Sequence, residues 1–491
     1  MESSRRIYRG SVKRKPACSE AYQPPWQACQ GAFMKLACIG PLRPSRTGVA
    51  DFTENLLPFL ADRCEIELFT DGYAPSESPI SQRFPVGDIG EFIRSAFRFD
   101  GVLYQMGNHY RYHRAVFEAL VRVPGVVMLH DCVLNQFFGK YALERGNFGT
   151  FRNLFELCYG RQTAESELAS FWNAHGDPYR FPMAGAIARC SRGTIVMSEY
   201  GKDIVLQEAR ETPVLKVNFP YFGGPGAPAP VNDFRRKFNV PEGAFIVASM
   251  GHMTPAKRIH VAVDAFQELS AKYSNSLFLL AGETSSRYPV IDRIRRGSFP
   301  NVVYLGYLTK SELDALMAVA DVCINLRYPS TGEMSNALID MLGCGKVVVV
   351  SNHAQFTEFP DDVCIKINLG PRERDDLASE LLKLASDDAR RSSVGEAARS
   401  YIASEHSPEA AAEAISQFIA EHSRSEPLLS PGAMKVLLAP DAPMKRYKQA
   451  FAYNRKRFSS FFNEYGLAHT MRTAIERMRA RTNAKSPKAC G

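Results

Sequence analysis

Small, polar and acidic residues follow one buried strand near residue 330, where they could bind an oxygen-rich ligand. The run ADVCINL has the apolar pattern of a buried parallel strand, and VVVVS has the pattern of the next one. Between them, RYPSTGEMSNALIDMLGCGK predicts a turn and then a helix. The start of this helix holds Gly332, Glu333, Ser335 and Asn336. Backbone amides there suit a phosphate or sugar oxygen, although acids and small polar residues also cap helices without any ligand.

A second acid extends this pattern. Asp340 comes seven residues after Glu333, about two helical turns on, so the two carboxylates are expected on one helix face. Upstream, GHMTPAKRIH follows another predicted strand and places Lys257 and Arg258 at a helix start. Two cations there oppose the helix dipole, and they make more sense beside a diphosphate. The alternative is a solvated basic turn. Together these loops predict a receptor for a nucleotide sugar.

The first half of the chain offers two further loops. In GPLRPSRTGVADF, Gly48 sits where a loop enters a helix and would let backbone amides approach an anion. In GVVMLHD, His130 and Asp131 end a strand, and such a pair can orient an imidazole for hydrogen bonding or proton transfer. The alternative is a structural His, with Asp131 capping the next helix. Asn108, His109 and His113 follow a neighbouring strand and are expected in the same crevice.

The elements that must position these residues alternate regularly. Short apolar, β-branched runs alternate with amphipathic helical patterns, which predicts an α/β fold of two Rossmann-like, doubly wound domains facing each other across a cleft. In such sheets ligands bind at the carboxyl ends of the strands. The predicted segments are a basic N-terminal extension (1–33), an acceptor-side domain (34–220), a linker (221–240), a donor-side domain (241–425) and a basic C-terminal tail (426–491). Neither GxGxxG nor GxxxxGK[ST] follows a strand, which disfavours dehydrogenases and P-loop NTPases.

The charge is concentrated at the two ends of the chain. The net charge of +8 divides into +9 over residues 441–491, +4 over residues 1–34, and about −5 over the remaining body. A nucleic-acid-binding core would show the reverse, so no nucleic-acid partner is expected. Basic ends fit an anionic membrane surface or an acidic partner. The scattered cysteines indicate a reducing, cytoplasmic compartment and no zinc site, and no apolar run is long enough for a membrane span.

These motifs, in this order and spacing, resemble the family-4-type retaining glycosyltransferases of the GT-B fold from about Met34 to Ser423. The resemblance places Gly48 near the donor diphosphate, His130 near the reacting sugar carbon and Lys257 on the diphosphate. At the family's Arg position stands His252, which leaves Arg258 as the expected second cation. The resemblance rests also on LAGE, on the segment from NVVYLGY to VVVVS, and on the glutamate of HAQFTEFP.

The family's glutamate pair is imperfect here. Its second member falls on Asp340 and its first on Gly332, with Glu333 one step later. The resemblance implies that Glu333 serves the donor sugar and Asp340 the ribose hydroxyls. The expected catalytic residues are His130, Glu333 and Asp131. The expected donor-binding residues are Gly48, Lys257, Arg258, Gly332, Ser335, Asn336, Asp340 and Glu358.

The resemblance implies transfer of a sugar from a nucleotide-sugar donor to an acceptor hydroxyl with retention. The acceptor is expected to be a sugar, a lipid-linked sugar or a polysaccharide of the cell envelope. No DxD triplet occurs, so neither a metal nor another cofactor is expected. Two alternatives stay open: a nucleotide-sugar epimerase of the same fold, and a catalytically silent, envelope-associated binding protein. The expected location is cytoplasmic. The basic tail is expected either to hold the chain at the inner face of the membrane or to pack back in part on the first domain.

Overall fold

Two parallel β-sheets form the framework of the chain. The computed structural model describes residues 33–439, apart from residues 74, 76–78, 171–176, 224–228 and 285–287. Within those residues the first sheet has seven strands in the order β3-β2-β1-β4-β5-β6-β7, and the second has six in the order β10-β9-β8-β11-β12-β13. Both orders reverse direction beside the first strand of the sheet, which creates the crevice where doubly wound sheets bind ligands. The predicted fold class is confirmed.

The first sheet and its helices span residues 34–216. Its strands are β1 (Met34–Ile39), β2 (Cys64–Thr70), β3 (Val86–Asp88), β4 (Gly101–Met106), β5 (Val126–Leu129), β6 (Gly193–Val196) and β7 (Val214–Lys216). Its helices are α1 (Gly48–Leu60), α2 (Pro79–Arg83), α3 (Ile89–Ser95), α4 (Tyr110–Arg122), α5 (Asn135–Glu144), α6 (Phe148–Tyr159), α7 (Arg161–Ser170), α8 (Ala184–Cys190) and α9 (Glu199–Glu208). The strand β3 is short and half-exposed, so its sequence carries no buried-strand pattern and it was not predicted.

The second sheet begins after α10 (Val231–Phe238). Its strands are β8 (Phe245–Met250), β9 (Ser276–Ala281), β10 (Val302–Gly306), β11 (Val322–Asn325), β12 (Val347–Ser351) and β13 (Ile365–Ile367). Its helices are α11 (Ile259–Lys272), α12 (Pro289–Arg295), α13 (Lys310–Val319), α14 (Asn336–Gly343), α15 (Glu373–Ser386) and α16 (Asp388–Glu405). The helix α10 lies inside the predicted linker and is fastened to α13 by Lys237 and Glu312, 2.5 Å apart.

The end of the described chain returns to the first sheet. Helix α17 (Pro408–His422) packs on α1, β4 and β6, and an added Cβ at Gly193 would meet the Phe418 ring at 2.8 Å. Helix α18 (Pro431–Leu437) then packs on α4 and α6, with Met434 fully buried. The segment predicted to close the second domain, and the first residues of the predicted tail, therefore cover the first domain instead. Residues 440–491 and 1–32 lie outside the described residues.

Candidate functional site

The loops at the carboxyl ends of the two sheets meet across the cleft. The loop after β5 contacts the loop after β11, because the backbone N–H of Cys132 donates to the Thr331 carbonyl at 2.7 Å. The Thr331 hydroxyl donates to the Asp131 carboxylate at 2.9 Å. Gly332, at φ 77°, packs so tightly that an added Cβ would lie 3.2 Å from the Cβ of Cys132. This junction brings the side chains after β5, β8 and β11 together.

Lys257 is the buried cation of this junction. It ends a short 3-10 helix after β8, its side chain is almost fully buried, and its ammonium donates to the Met250 carbonyl. An added Cβ at Gly251 would come within 2.9 Å of the Lys257 Nζ, so glycine is what allows the lysine to lie here. Burial, and then the charge of Arg327, lower the pKa of Lys257 to about 7, against the opposing effect of Glu333. A buried ammonium with so little compensation is suited to an anionic ligand.

Arg327 is a second buried cation that the sequence analysis did not single out. Its side chain is 13% exposed, and its Nη1 lies 2.7 Å from the Glu333 Oε1. Its Nε is buried and has no hydrogen-bond partner among the described residues. The alternation of side chains along β11 could have indicated this position. Val322, Ile324 and Leu326 pack into one apolar core, so the side chain of Arg327 lies on the opposite face. In the sequence, Arg327 stands only at the start of a predicted turn.

Arg258 does not join Lys257, which corrects the prediction of a paired cationic clamp. Its Nε lies 2.6 Å from the Glu373 Oε1, and its Nη2 contacts the other carboxylate oxygen. Its guanidinium also lies 5.8 Å from the centre of the Tyr328 ring. Glu373 is nearly fully buried, and a buried pair of this kind is costly to break because it would leave an uncompensated charge. Arg258 therefore fastens the start of α11 to the start of α15.

Glu333 reaches the junction from a loop. Helix α14 begins at Asn336, with the Ser335 hydroxyl as its N-cap accepting from the Leu338 N–H at 3.3 Å. Glu333 precedes the helix, so the prediction that it shares a helix face with Asp340 is wrong. Besides Arg327, three other side chains interact electrostatically with Glu333. They are Lys257, Asp131 and the phenol of Tyr179. Tyr179, overlooked in the sequence, lies in this cluster.

Asp340 lies in a different environment. Its carboxylate is 3.4 Å from the Asn336 Nδ2, and the charges of Lys310 and Asp314 act on it. Burial raises the pKa of Asp340 to about 6, which Lys310 counteracts. Since α13 begins at Lys310, Asp340 faces the loop after β10 and not the Glu333 cluster. The two acids are therefore separated between two environments, as two different ligand groups would require.

His130 is held by Gln105 and not by Asp131. Its Nε2 lies 2.7 Å from the Gln105 Oε1, and its ring meets the Phe52 ring edge-on at 4.9 Å. Burial lowers the pKa of His130 to about 3, so the imidazole is neutral at pH 7. The buried Gln105 is itself fixed, because an added Cβ at Gly40 would lie 2.7 Å from its Cβ. A neutral imidazole can exchange hydrogen bonds with a hydroxyl but does not arrive protonated as an acid.

Asp131 connects the two domains instead of orienting His130. Its Oδ2 accepts from the Asn108 N–H at 2.9 Å, and its Oδ1 accepts from Thr331 across the cleft. The helix after it is capped by Asn108, whose Oδ1 accepts from the Phe137 N–H at 3.0 Å. The predicted His–Asp pair and the alternative cap by Asp131 are both corrected. Burial, and then Glu333, raise the pKa of Asp131 to about 6.

Of two further residues predicted to bind the donor, Glu358 makes a different contact and Gly48 lies at an exposed helix start. Glu358 accepts from the backbone N–H groups of Glu199 and Tyr200 at 3.0 and 2.9 Å, so it caps α9 from the opposite domain. This use of both carboxylate oxygens corrects its assignment to the donor. Gly48 is the exposed first residue of α1, with open space where a Cβ would be. In the same loop Arg46 spans the cleft to Glu283, 3.3 Å away.

No group of three or more His, Cys, Asp or Glu side chains among the described residues is arranged to hold a metal ion. Within the same part of the chain, no helix is both long and apolar enough to cross a membrane.

Comparison with known proteins gives a family and a fold. Residues 231–401 match the family model "Glycosyl transferases group 1". No curated protein matches the chain in sequence. Among solved structures, Anabaena Alr3699/HepE in complex with UDP and glucose superposes with a TM-score of 0.57 at 16% identity, covering 79% of this chain and 100% of its own.

Two further structures show the same architecture. WaaG, a glycosyltransferase involved in lipopolysaccharide biosynthesis, has a TM-score of 0.53 at 14% identity, over 78% of this chain and 99% of its own. Sucrose-phosphate synthase from Thermosynechococcus elongatus has a TM-score of 0.53 at 17% identity, over 78% of this chain and 98% of its own. At such identities the likeness establishes the GT-B fold.

Proposed function

We propose that the chain moves a sugar from a nucleotide-sugar donor to an acceptor hydroxyl with retention of anomeric configuration, since its residues 231–401 match the family model "Glycosyl transferases group 1". The observation that carries the proposal is the cluster of the buried Lys257, the largely buried Arg327 and the partly exposed Glu333 where the two domains meet. Buried cations beside a carboxylate match a diphosphate joined to a polyhydroxylated sugar. The Arg327 Nε is buried without a partner among the described residues, so it is available to a phosphate oxygen.

The reaction needs the leaving diphosphate to be stabilised as its bond to the sugar breaks. Lys257 supplies a positive charge in a site from which the protein excludes water, where it acts more strongly than in solution. The N-terminus of α14, capped by Ser335, adds backbone amides aimed at the same region. We propose that these groups, without a metal ion, neutralise the leaving group, and that the acceptor hydroxyl attacks from the same face.

His130 and Glu333 are assigned to the sugar. The neutral His130 imidazole, held by Gln105, exchanges a hydrogen bond with a donor-sugar hydroxyl as the sugar carbon reacts. Glu333 accepts from sugar hydroxyls, and Asp340 accepts from the ribose hydroxyls near the loop after β10. This division keeps the predicted roles of the two acids and follows from their separate surroundings.

The structural neighbours support a choice of donor and pathway. HepE was solved with UDP and glucose, and WaaG is involved in lipopolysaccharide biosynthesis. We propose a uridine-diphosphate sugar as the first donor to test and an envelope polysaccharide or glycolipid as the acceptor. A thermal-shift screen of nucleoside diphosphates and their sugars identifies the donor, because a ligand of the native state raises its melting temperature.

Sugar transfer distinguishes the proposal from its alternatives. Incubating the protein with each stabilising nucleotide sugar should release the nucleoside diphosphate, slowly to water and faster with an acceptor. Lys257→Met should abolish that release, and the exposed Lys383→Met on α15 is the matched control that keeps it. Formation of an epimeric nucleotide sugar without release would support the epimerase instead. Binding without release or epimerisation would support the silent binding protein.

We propose a cytoplasmic location at the inner face of the membrane. The support is the +9 charge of residues 441–491, in which MKRYKQAFAYNRKRFSSFFNEYG mixes Lys and Arg with Phe and Tyr, as interfacial helices do. Removing residues 441–491 should abolish sedimentation with anionic vesicles at low salt and leave nucleoside diphosphate affinity intact. Vesicle binding by the truncated chain equal to that of the full chain would refute the role of the tail.

A further inference from the structure

The Arg327–Glu333 pair lies inside the proposed donor site, and it leaves part of the Arg327 guanidinium without a partner. The pair joins one arm of the guanidinium to one carboxylate oxygen at 2.7 Å. The Arg327 Nε remains buried without a partner among the described residues, and so do both amide atoms of Asn325. Buried polar atoms of this kind are costly unless a ligand or water completes their hydrogen bonds.

The strand β11 presents these unsatisfied atoms on one side. Val322, Ile324 and Leu326 pack into one apolar core, whereas Cys323 belongs to the core on the other face. Asn325 and Arg327 continue the Cys323 face, because side chains alternate along a strand. The Arg327 backbone N–H donates to the Ser351 hydroxyl at 3.0 Å, and the Tyr328 N–H donates to the Ala256 carbonyl at 2.8 Å. The second of these contacts fixes the residue after Arg327 beside the loop that carries Lys257.

Arg327 is also the cation that acts on Lys257. Its positive charge lowers the pKa of Lys257, which means that the two cations lie close enough to repel each other. Glu333 and Asp131 are the carboxylates that act on these cations, and neither of them contacts the Arg327 Nε. A diphosphate would place negative charge between the two repelling cations and would offer pairs of oxygens that the planar guanidinium can bind bidentately. Neither His252, which is exposed, nor Arg258, which is paired with Glu373, provides this second charge.

We propose that Arg327 is the second phosphate-binding cation and that donor binding exchanges its partner. In the free protein the Glu333 carboxylate forms an ion pair with the Arg327 guanidinium. When a nucleotide sugar binds, Arg327 turns its guanidinium to the diphosphate, and the released Glu333 accepts from the sugar hydroxyls. The exchange deepens the proposed function and depends on it. It couples the recognition of the two halves of the donor, because a free diphosphate captures Arg327 but leaves Glu333 without a partner.

This coupling gives Glu333→Gln opposite effects on two ligands. Removing the carboxylate removes the competitor for Arg327, so inorganic pyrophosphate and UDP should bind several-fold more tightly than to the wild type. The intact UDP-sugar loses its hydroxyl acceptor, so its turnover should fall. If Glu333 were only a structural partner that orders the loop, both ligands would bind more weakly to the variant.

The experiment is a calorimetric titration of inorganic pyrophosphate, UDP and uridine into the full-length wild type and its variants. Arg327→Gln should weaken pyrophosphate and UDP by roughly 10- to 100-fold, the range for a charge-assisted hydrogen bond, and leave uridine unchanged. The affinity of Arg327→Lys for pyrophosphate and UDP should lie between those of the wild type and Arg327→Gln. Lysine keeps the positive charge but lacks the two-pronged geometry of the guanidinium. The matched control is Arg372→Gln, which removes an arginine that is 82% exposed at the start of α15.

The outcomes separate the two proposals. If the wild type binds none of the phosphate ligands, the proposed nucleotide-sugar function fails. If the wild type binds them and Arg327→Gln binds equally well, Arg327 is not the second cation. If Arg327→Gln misfolds by circular dichroism, Glu333→Gln decides, because weaker or unchanged pyrophosphate binding in that variant overturns the exchange.

Discussion

Protonation of Lys257 should accompany donor binding and can be measured directly. Burial lowers the pKa of Lys257 to about 7, so at pH 8 the side chain of the free protein is about 90% neutral. A bound diphosphate places negative charge beside it and removes the repulsion from Arg327, which returns the pKa toward its ordinary value of 10.5. Binding at pH 8 should therefore take up about 0.9 proton per site.

The sign and size of the pH dependence follow from this shift. Below pH 7 the ammonium is already present, so affinity does not depend on its titration. Above pH 7 each pH unit costs about 1.4 kcal/mol to protonate Lys257, a tenfold loss of affinity, until the pKa of the bound state is reached. Because Lys257 is already half neutral at pH 7, the dissociation constant of UDP should rise by about 50-fold between pH 7 and 9. The phosphates do not contribute, since their last ionisation, near pH 6, is complete by pH 8.

Titration calorimetry in two buffers of different ionisation enthalpy gives the number of protons taken up. Wild type at pH 8 should show uptake, and at pH 6 the uptake from Lys257 should vanish. Lys257→Met should bind more weakly and take up no proton at pH 8, whereas Lys383→Met should match the wild type. Tight, pH-independent UDP binding with no uptake at pH 8 would refute the assignment of Lys257 to the diphosphate.

Three further variants test the remaining assignments. Gln105→Leu should lower kcat by about tenfold, the value of one buried hydrogen bond, because Gln105 holds His130 in place. The affinity for UDP, measured by calorimetry, should stay constant. An equal loss of UDP affinity would argue against this role. Glu358→Gln should lower the free energy of unfolding by about 1–2 kcal/mol in chemical denaturation without changing UDP affinity, as a helix cap would; a selective loss of UDP would restore it to the donor site. Asp340→Asn should weaken uridine and UDP by about 1–3 kcal/mol but spare pyrophosphate, and a loss of pyrophosphate would contradict its assignment to the ribose.

The two sheets were predictable because buried parallel strands leave continuous apolar runs in the sequence. Strands such as β4 and β12 are buried over nearly their whole length, and nothing but a central strand accounts for such a pattern. The return of α17 to the first sheet was not predictable in the same way. Its apolar face looks the same whichever sheet it covers, whereas in the structure α17 packs on α1, β4 and β6, with Phe418 against Gly193.

The position of site residues could be predicted, but their partners could not. Strand ends placed His130, Lys257 and Glu333 near one cleft, since the carboxyl ends of parallel strands share an edge. Partners distant in sequence cannot be read from local spacing, and Arg258 bonds to Glu373, 115 residues away. Closeness in sequence led to the wrong prediction for His130 and Asp131. The side chains of these adjacent residues point in different directions, so they do not form a pair.

The most direct test of the central claim is the product of the reaction itself. The full-length protein is incubated with UDP-glucose, or with the nucleotide sugar that stabilises it most, and proton NMR follows the first sugar released before it mutarotates. Retaining transfer predicts that the nucleoside diphosphate is released and that an α-linked donor yields the α-anomer of the sugar first. Neither product should form with Lys257→Met. Release of the β-anomer first would contradict retention, and no release from any nucleotide sugar that binds would contradict sugar transfer.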